Sequence, residues 1–475
     1  MRGSFVYSSL AQLILLAIMI KLPSFNDTIF ALATPPGRSA LAVIRVSGPQ
    51  AACVPDLFGA GSLLTGQAQR RWLKDKDGNL IDDVMMIRFV GPRSATGEDV
   101  TEIHCHGSPA VVEDVLKHLA AVSGFRLAEA GEFTRRAFDN NKTDITAAEG
   151  LADLIDANTS LQRVQAAAQM AGSLRRPVEK WRQEIISCLS ELEASIDFTD
   201  EDLPETLETQ VRNRIQTIHG DMRASLADFH KGQIVRTGLS IVLAGPVNAG
   251  KSTLLNLLAR RPAAIVSATP GTTRDSIEVG LEIEGVSVAV KDTAGWRQTD
   301  DPIEKEGIER ARQAAADADI LVVVVDGSQP GWFKDIDEII TWGSQTSLIL
   351  LNKSDMGLVA TEKRYTTNCA FEKTVLSISA KDGSGLGDFE TRLGELIQNL
   401  NCTSSSITLT RVRHQQAVRQ AVEHLEAGLH LSVANQTELV AEEFRSATSA
   451  LSRILGHVDI EDILDHIFSN FCIGK

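Results

Sequence analysis

No CxxC pair occurs in the chain, and its six cysteines, Cys53, Cys105, Cys188, Cys369, Cys402 and Cys472, are scattered. That excludes a disulfide scaffold and points to a reducing compartment with free thiols. No excess of positive charge exists either. Lys and Arg number 47 against 62 Asp and Glu, for a formal net charge of -15. A nucleic-acid coat held on by charge alone is therefore excluded, although a local basic face is not. No repeat of 20–50 residues is visible. No apolar run reaches the roughly 20 residues that a membrane-spanning helix needs. The closest approach is Leu10 to Ile20 in MRGSFVYSSLAQLILLAIMIKLPSFN, which has a signal-like core but no A-x-A-like cleavage site.

What remains is an ordinary globular composition, with 43% hydrophobic and 23% charged residues over 475 positions. At roughly 150 residues per domain this predicts about three domains. From Asp27 to Lys142 the pattern is α+β. TIFALAT, ALAVIRVSG and DDVMMIRFVG read as strands, and PAVVEDVLKHLAAV as a helix. From Asp144 to Arg236 the chain reads as helical, punctuated by Gly172 and Pro177. Glu191 to Gln210 carries eight acidic residues and no base, the composition of a solvated helix end and loop. From Thr237 to Leu400, LSIVLAG, VSVAVKD, DILVVVVDG and SLILLNK read as strands of a parallel sheet covered on both faces. After Thr-Ser-Ser-Ser at 403–406 the pattern is helical again. Phe444, Ala447, Leu451, Ile454, Leu455 and Val458 share one face, and Ile460, Ile463, Leu464, Ile467, Phe468 and Phe471 repeat the pattern. Two helical blocks flanking an α/β block predict one helical domain interrupted by an insertion.

Gly245-Pro-Val-Asn-Ala-Gly-Lys251-Ser252 fits GxxxxGK[ST], between a predicted strand and a predicted helix. Its glycines let backbone N–H groups wrap a phosphate, Lys251 reaches the outer phosphates, and Ser252 can ligate Mg²⁺. Asp292-Thr-Ala-Gly295 ends the next strand, placing Asp292 near the metal and the Gly295 amide near a γ-phosphate. Gly271-Thr-Thr-Arg-Asp275 lies where a switch loop would add a second Mg²⁺ ligand. Asn352-Lys-Ser-Asp355 follows an apolar strand, and a carboxylate there accepts both donors of a guanine edge. Ser379-Ala-Lys381 completes the base pocket. In this order the motifs predict GTP rather than ATP.

Trp296 follows DTAG, where many small GTPases place a water-orienting Gln. An indole cannot do that. Asn248 could instead hold a monovalent cation, Glu304 could orient water through a second water, and Arg274 or Arg297 could add positive charge.

These residues and their surroundings resemble the MnmE (TrmE) family of tRNA-modification GTPases, from Asp27 to Lys475. The most diagnostic stretches are DTIFALATPPGRSALAVIRVSG, TGEDVTEIHCHG, GEFTRRAFDNNKTDITAAEGLADLIDA and the terminal FCIGK. The resemblance implies a multidomain α/β plus α fold: a non-family extension at 1–26, an α+β folate-binding and dimerisation domain at 27–143, a helical domain at 144–236 and 401–475, and an inserted Ras-like P-loop G domain at 237–400. It implies a homodimer that joins an FAD-dependent MnmG (GidA)-type flavoprotein in a heterotetramer. Together they would add a carboxymethylaminomethyl or aminomethyl group to C5 of the wobble uridine of certain tRNAs. The one-carbon unit would come from 5,10-methylene-tetrahydrofolate or a related folate, with FAD only on the partner.

The nucleotide-binding set it implies is Asn248, Ala249, Gly250, Lys251, Ser252 and Thr253; Ser267, Ala268, Thr269, Pro270, Gly271, Thr272 and Thr273; Asp292, Thr293, Ala294 and Gly295; Asn352, Lys353, Ser354 and Asp355; and Ser379, Ala380 and Lys381. Ser252 and Thr273 match the Mg²⁺ ligands, and Asn248, Ser267, Thr269 and Thr272 the K⁺ ligands. Glu304, Lys251 and Cys472 are the catalytic candidates. Arg45, Glu102, Lys142 and Lys475 match the folate contacts. Two departures are the Gly-Pro-Val before Asn248 and Pro270 in the switch segment. His104-Cys105-His106 has no second ligand cluster, so a strand beside the folate pocket is expected there rather than a metal site. The 26-residue extension is expected to be an over-long start or a disordered appendage, and the protein cytoplasmic without stable membrane association. The alternative is a ribosome-assembly or regulatory GTPase. The folate-type N-terminal segment paired with FCIGK argues against that alternative.

Overall fold

The computed structural model describes residues 27–197, 205–261, 264–265, 278–292, 302–330, 347–358, 374–399 and 409–458, with isolated positions between 332 and 342 and between 464 and 474. The chain divides into two compact units, 1–152 with 452–475, and 153–451. The N-terminal extension, the 403–406 segment, Ile460 and Ile463 lie outside the described residues.

The first unit is built on a mixed sheet of six strands: β1 (Thr28–Leu32), β2 (Ser39–Ser47), β3 (Gln69–Lys74), β4 (Leu80–Phe89), β5 (Val100–Gly107) and β6 (Phe125–Leu127). Their order is β3-β4-β5-β2-β1-β6. All neighbours are antiparallel except β1 and β6. The three strands read from sequence are β1, β2 and β4. Alternation sends Ile44, Val46, Met86, Ile103 and Cys105 to one face, against Val115 and Leu119 of helix α1 (Pro109–Ala120). Pro109 opens α1 without loss, because the first N–H of a helix has no partner within it. On the other face Ile29 and Ala31 meet Phe133 of helix α2 (Glu132–Asp139). Further along, Ile145 and Ala148 of helix α3 (Ile145–Asp156) pack with Leu464, Phe468 and Phe471.

The second unit begins with helices α4 (Ser160–Met170), α5 (Arg175–Asp197), α6 (Glu205–Ala227) and α7 (Phe229–Thr237). Gly172, at φ +91°, marks the break after α4, as its sequence suggests. Pro177 does not break anything. It sits in the first turn of α5, where a missing N–H costs no hydrogen bond.

Seven strands follow: β7 (Leu239–Ala244), β8 (Ala264–Ile265), β9 (Glu278–Ile283), β10 (Val286–Asp292), β11 (Ile320–Asp326), β12 (Ser347–Asn352) and β13 (Thr374–Ser377), ordered β13-β12-β11-β7-β10-β9-β8. From β13 to β10 the pairing is parallel. The near-continuous apolar strands are explained by burial on both faces. Ile241, Leu243, Val322 and Val324 face one core, and Val242, Ala244, Leu321 and Val323 the other. Helices α8 (Lys251–Ala259), α9 (Pro302–Asp317) and α10 (Leu386–Asn399) complete this layer. Helices α11 (Val412–His430) and α12 (Val433–Leu455) follow. In α12, Phe444, Ala447, Leu451, Ile454 and Leu455 are buried as their spacing predicts. Val458 is not part of that face. Gly456 turns at φ +82° just past the helix, and Val458 is exposed.

Candidate functional site

The phosphate loop lies between β7 and α8. Gly245 has φ +155°, Asn248 +63° and Gly250 +98°. A side chain on Gly250 would overlap the Asn352 amide, and one on Gly245 the Val324 carbonyl. The motif's glycines are thus fixed by two adjacent strand ends as well as by φ. Lys251 is buried, and its Nζ donates to the carbonyls of Gly245 and Pro246, both at 2.9 Å. Burial lowers its pKa, and Asp292 opposes the shift. A phosphate at the loop would relieve that desolvation. Asn248, Ser252 and Thr253 are exposed, while Ala249 is buried.

Ser252 Oγ donates to Asp292 Oδ2 at 2.5 Å, joining the helix start to the end of β10. Asp292 Oδ1 is buried and has no hydrogen-bond partner among the described residues. A hydroxyl beside a carboxylate with a spare buried oxygen suits a hard, oxygen-seeking cation such as Mg²⁺. Ser267, Ala268, Thr269, Pro270, Gly271, Thr272, Thr273, Thr293, Ala294 and Gly295 lie outside the described residues. Glu304 falls in the first turn of α9.

The segments expected to form the base pocket are joined by Asn352, which is buried. Its Nδ2 donates to the Ala249 carbonyl at 2.7 Å, and its Oδ1 accepts the Ala380 N–H at 2.9 Å. One amide therefore ties the phosphate loop to the Ser379–Lys381 turn. Asp355 Oδ1 accepts the Ser379 hydroxyl at 3.0 Å, and Lys381 Nζ lies 3.8 Å from Oδ2. Lys353, at φ +66°, donates from Nζ to Asp326 Oδ2 at 2.7 Å, and Ser354 opens the short turn that follows. Burial would raise the pKa of Asp326, but the Lys353 and Ser328 hydrogen bonds hold it below its ordinary value. Sequence reasoning missed Asp326. Its signal was an acid ending the apolar run of β11.

In the first unit, Arg45 on β2 stands opposite Glu102 on β5, and Arg45 Nε donates to Glu102 Oε1 at 3.0 Å. The guanidinium lies 5.8 Å from the Phe133 ring centroid. Arg45 also lines a cavity of about 300 Å³ with Ala95, Thr96, Phe133, Thr134, Ala137, Thr143 and Leu151. Lys142 is placed at the loop carrying Thr96: its Nζ donates to the Pro92 carbonyl at 2.8 Å, and Asn140 Nδ2 donates to the Thr96 carbonyl at 2.8 Å. Thr96, Phe133, Thr134 and Thr143 were not singled out from sequence, although they fall in the diagnostic stretches. Lys475 and Cys472 lie outside the described residues. Their neighbour Gly474, at φ +99°, is so close to the Leu32 carbonyl and Ala33 that a side chain there would overlap them. Cys105 is directed into the core, and burial pushes its thiol up to about 11. His104 pairs with Glu102 and His106 with Asp82. Among the described residues, no group of three or more His, Cys, Asp and Glu is arranged to hold a metal ion, and no helix is long and apolar enough to cross a membrane.

A largely parallel sheet with a glycine-rich phosphate loop, a Ser–Asp pair beside it and the Asn352-Lys-Ser-Asp355 turn after a neighbouring strand defines the P-loop GTPase class. Comparison with known proteins narrows this. Residues 145–472 match the family model for the MnmE helical domain, and residues 28–142 match that for the GTP-binding protein TrmE N-terminus. The tRNA modification GTPase MnmE of Maricaulis maris is 45% identical over 452 residues, spanning 95% of this chain and 100% of that protein. Those of Caulobacter vibrioides and Bradyrhizobium sp. are 44% and 43% identical, each over 95% of this chain and 100% and 99% of their own lengths. The chain belongs to the MnmE (TrmE) family.

Proposed function

We propose that this protein hydrolyses GTP to drive the modification of tRNA, adding a carboxymethylaminomethyl or aminomethyl group to C5 of the wobble uridine. The observation that carries this reading is the occurrence, in one chain, of the Asp355–Ser379 contact of a GTPase-type fold and a separate cavity lined by Arg45, which pairs with Glu102. A switch protein without chemistry of its own needs only the first.

In the GTP half, Asp355 accepts the two donors of the guanine edge, and the Ser379 hydroxyl holds its carboxylate in place. Lys251 exchanges its loop carbonyls for phosphate oxygens. Mg²⁺, when bound by Ser252 and Thr273 near Asp292, neutralises charge on the phosphates. Asn248, exposed in the loop, joins Ser267, Thr269 and Thr272 in holding K⁺, and Glu304 orients the attacking water. In the folate half, Glu102 accepts from the amide-like edge of a pterin, while Arg45, Lys142 and Lys475 suit an anionic tail. This reading expects Cys472 near the one-carbon chemistry.

The domain reading is 27–143 for folate and dimerisation, 144–236 with 401–475 for the helical domain, and 237–400 for the inserted Ras-like G domain. One observation supports the insertion: Arg236 Nε donates to the Thr410 carbonyl at 3.1 Å, so the exit and return of the chain lie side by side. The partners are a second copy, an FAD-dependent MnmG-type flavoprotein and tRNA, in the cytoplasm. The acidic charge of -15 is consistent with that flavoprotein supplying much of the tRNA-binding surface.

The test is reconstitution with the flavoprotein, GTP, methylene-tetrahydrofolate and tRNA, followed by mass spectrometry of the nucleosides. Wobble uridines left unmodified would sink the reading in favour of a regulatory GTPase. The cation assignment is checked separately. Hydrolysis should run much faster in K⁺ than in Na⁺ at equal ionic strength, and Asn248→Ala should abolish the difference. Equal rates for the parent protein in the two salts would defeat it.

A further inference from the structure

One face of the six-stranded sheet carries polar side chains that the proposed folate site uses only in part. Glu102 and His104 follow each other on β5 at a spacing of two, so both project to the side where Arg45 stands on β2. The opposite side sends Ile44, Ile103 and Cys105 into the core. Glu102 is held at both of its oxygens. Oε1 accepts from Arg45 Nε at 3.0 Å, and Oε2 lies 3.1 Å from His104 Nε2. An ionised carboxylate only accepts, so His104 presents Nε2–H to it. The three side chains are 25%, 16% and 24% exposed, shielded in part from competing water yet open to a ligand.

The end of a Glu side chain rotates in a broad, shallow well. The Arg45 guanidinium meets Oε1 alone, with Nε and a terminal nitrogen each 3.0 Å away, and so leaves the carboxylate free to pivot about that oxygen. A second donor at Oε2, from a stiff imidazole on the same strand, fixes its plane. We infer that His104 is a positioning residue for a reduced folate: it locks the Glu102 carboxylate so that its remaining lone pairs face the amide-like N–H edge of the pterin. This rests on the folate reading of the Arg45–Glu102 site. His104 does not touch the ligand itself. It spares the ligand the ordering of Glu102, an effect of about tenfold in affinity.

A His that merely filled a polar position would be replaced equally well by Asn or Gln. A His that positions Glu102 through Nε2 would not. Gln carries an N–H donor far enough from the backbone to reach Oε2, whereas Asn is one methylene short. The experiment is titration of the full chain with 5-formyl-tetrahydrofolate by calorimetry, using the parent protein and His104→Ala, His104→Asn and His104→Gln, with thermal midpoints measured alongside. Ala and Asn should bind about tenfold more weakly, which is about 1.4 kcal/mol. Gln should bind within about twofold of the parent, and the Asn and Gln variants should melt together. Parent-like affinity for Asn, or loss of affinity in Gln equal to that in Asn, overturns the role of His104. The Asn–Gln comparison decides the matter even if the Ala variant does not fold. If the parent protein itself binds no folate, the underlying site assignment fails and this inference falls with it.

Discussion

Both ends of the Asn352 amide are engaged, one by the phosphate loop and one by the Ser379–Lys381 turn. That leaves Asp355 as the residue proposed to meet the base. An Asn at 355 would swap one acceptor for a donor and face the guanine edge with an unmatched N–H. Asp355→Asn should weaken GTP binding roughly a hundredfold or more, and should bring a gain for xanthosine triphosphate, whose edge offers an acceptor. Competitive binding of the two triphosphates checks this, and unchanged preference would argue against the base assignment. The motif residues were legible because each motif is a contiguous string with a fixed chemical job. Thr96 and Asp326 were not, and His104 was read only as part of a strand beside the folate pocket, because their contacts depend on strand register and on which loops close over a sheet.

At the level of elements, the buried parallel strands were legible from their length and unbroken apolarity. β3 was harder to see. In QRRWLK only Leu73 is buried, because the strand sits at a sheet edge. β9 and β13 likewise border the apolar centre of the second sheet rather than forming it. The phosphate loop shows how one element depends on another. Gly250 caps α8 at φ +98° and lies against the Asn352 amide, so both backbone and neighbour resist a side chain. Gly250→Ala should abolish GTP binding and cost about 1–3 kcal/mol of stability. Denaturant unfolding with and without nucleotide separates these effects. Binding retained at parent affinity would contradict the geometry.

Across the whole molecule, the first unit is tied together by a guanidinium with no solvent exposure. Arg136 contacts Asp27 at 2.8 Å, Glu132 at 3.0 Å and Glu98 at 3.3 Å, and Arg126 adds contacts to Asp27 and Glu132. Burial would raise the pKa values of Asp27 and Glu132, but the two arginines outweigh it and hold both below their ordinary values. A depressed carboxylate stabilises the fold above its unfolded pKa, and that contribution is lost as pH falls through the folded value. The parent protein should therefore lose stability below about pH 5. Arg136→Met should cost about 3–5 kcal/mol at neutral pH, because it removes the buried cation shared by Glu98, Asp27 and Glu132 and leaves only Arg126 beside the last two, and it should flatten the acid dependence. Urea midpoints from pH 7 to pH 3 test both, and an unaltered acid slope would contradict the assignment.

The second unit makes a different claim. Ile234 and Val235 of α7 are buried in the same core as β7 and β10, although they precede the predicted G-domain boundary. A fragment beginning at residue 229 should be about 3–6 kcal/mol more stable than one beginning at 238, since two large apolar side chains are at stake. Equal urea midpoints would place the boundary at 237 after all.

The first unit also has a history in time. Ile145 and Ala148 wait for Leu464, Phe468 and Phe471, and about 300 residues are translated between the two parts of this unit. At about 5–20 residues per second, a growing chain carries this half-built core for roughly 15–60 seconds. For that interval the apolar face of α3 has Phe138 beside it but lacks Leu464, Phe468 and Phe471, and the second unit can fold to completion while the first, begun earlier, stays unfinished. The order of synthesis and the order of completion are therefore reversed, and a nascent-chain holdase has its longest opportunity on the part of the protein made first.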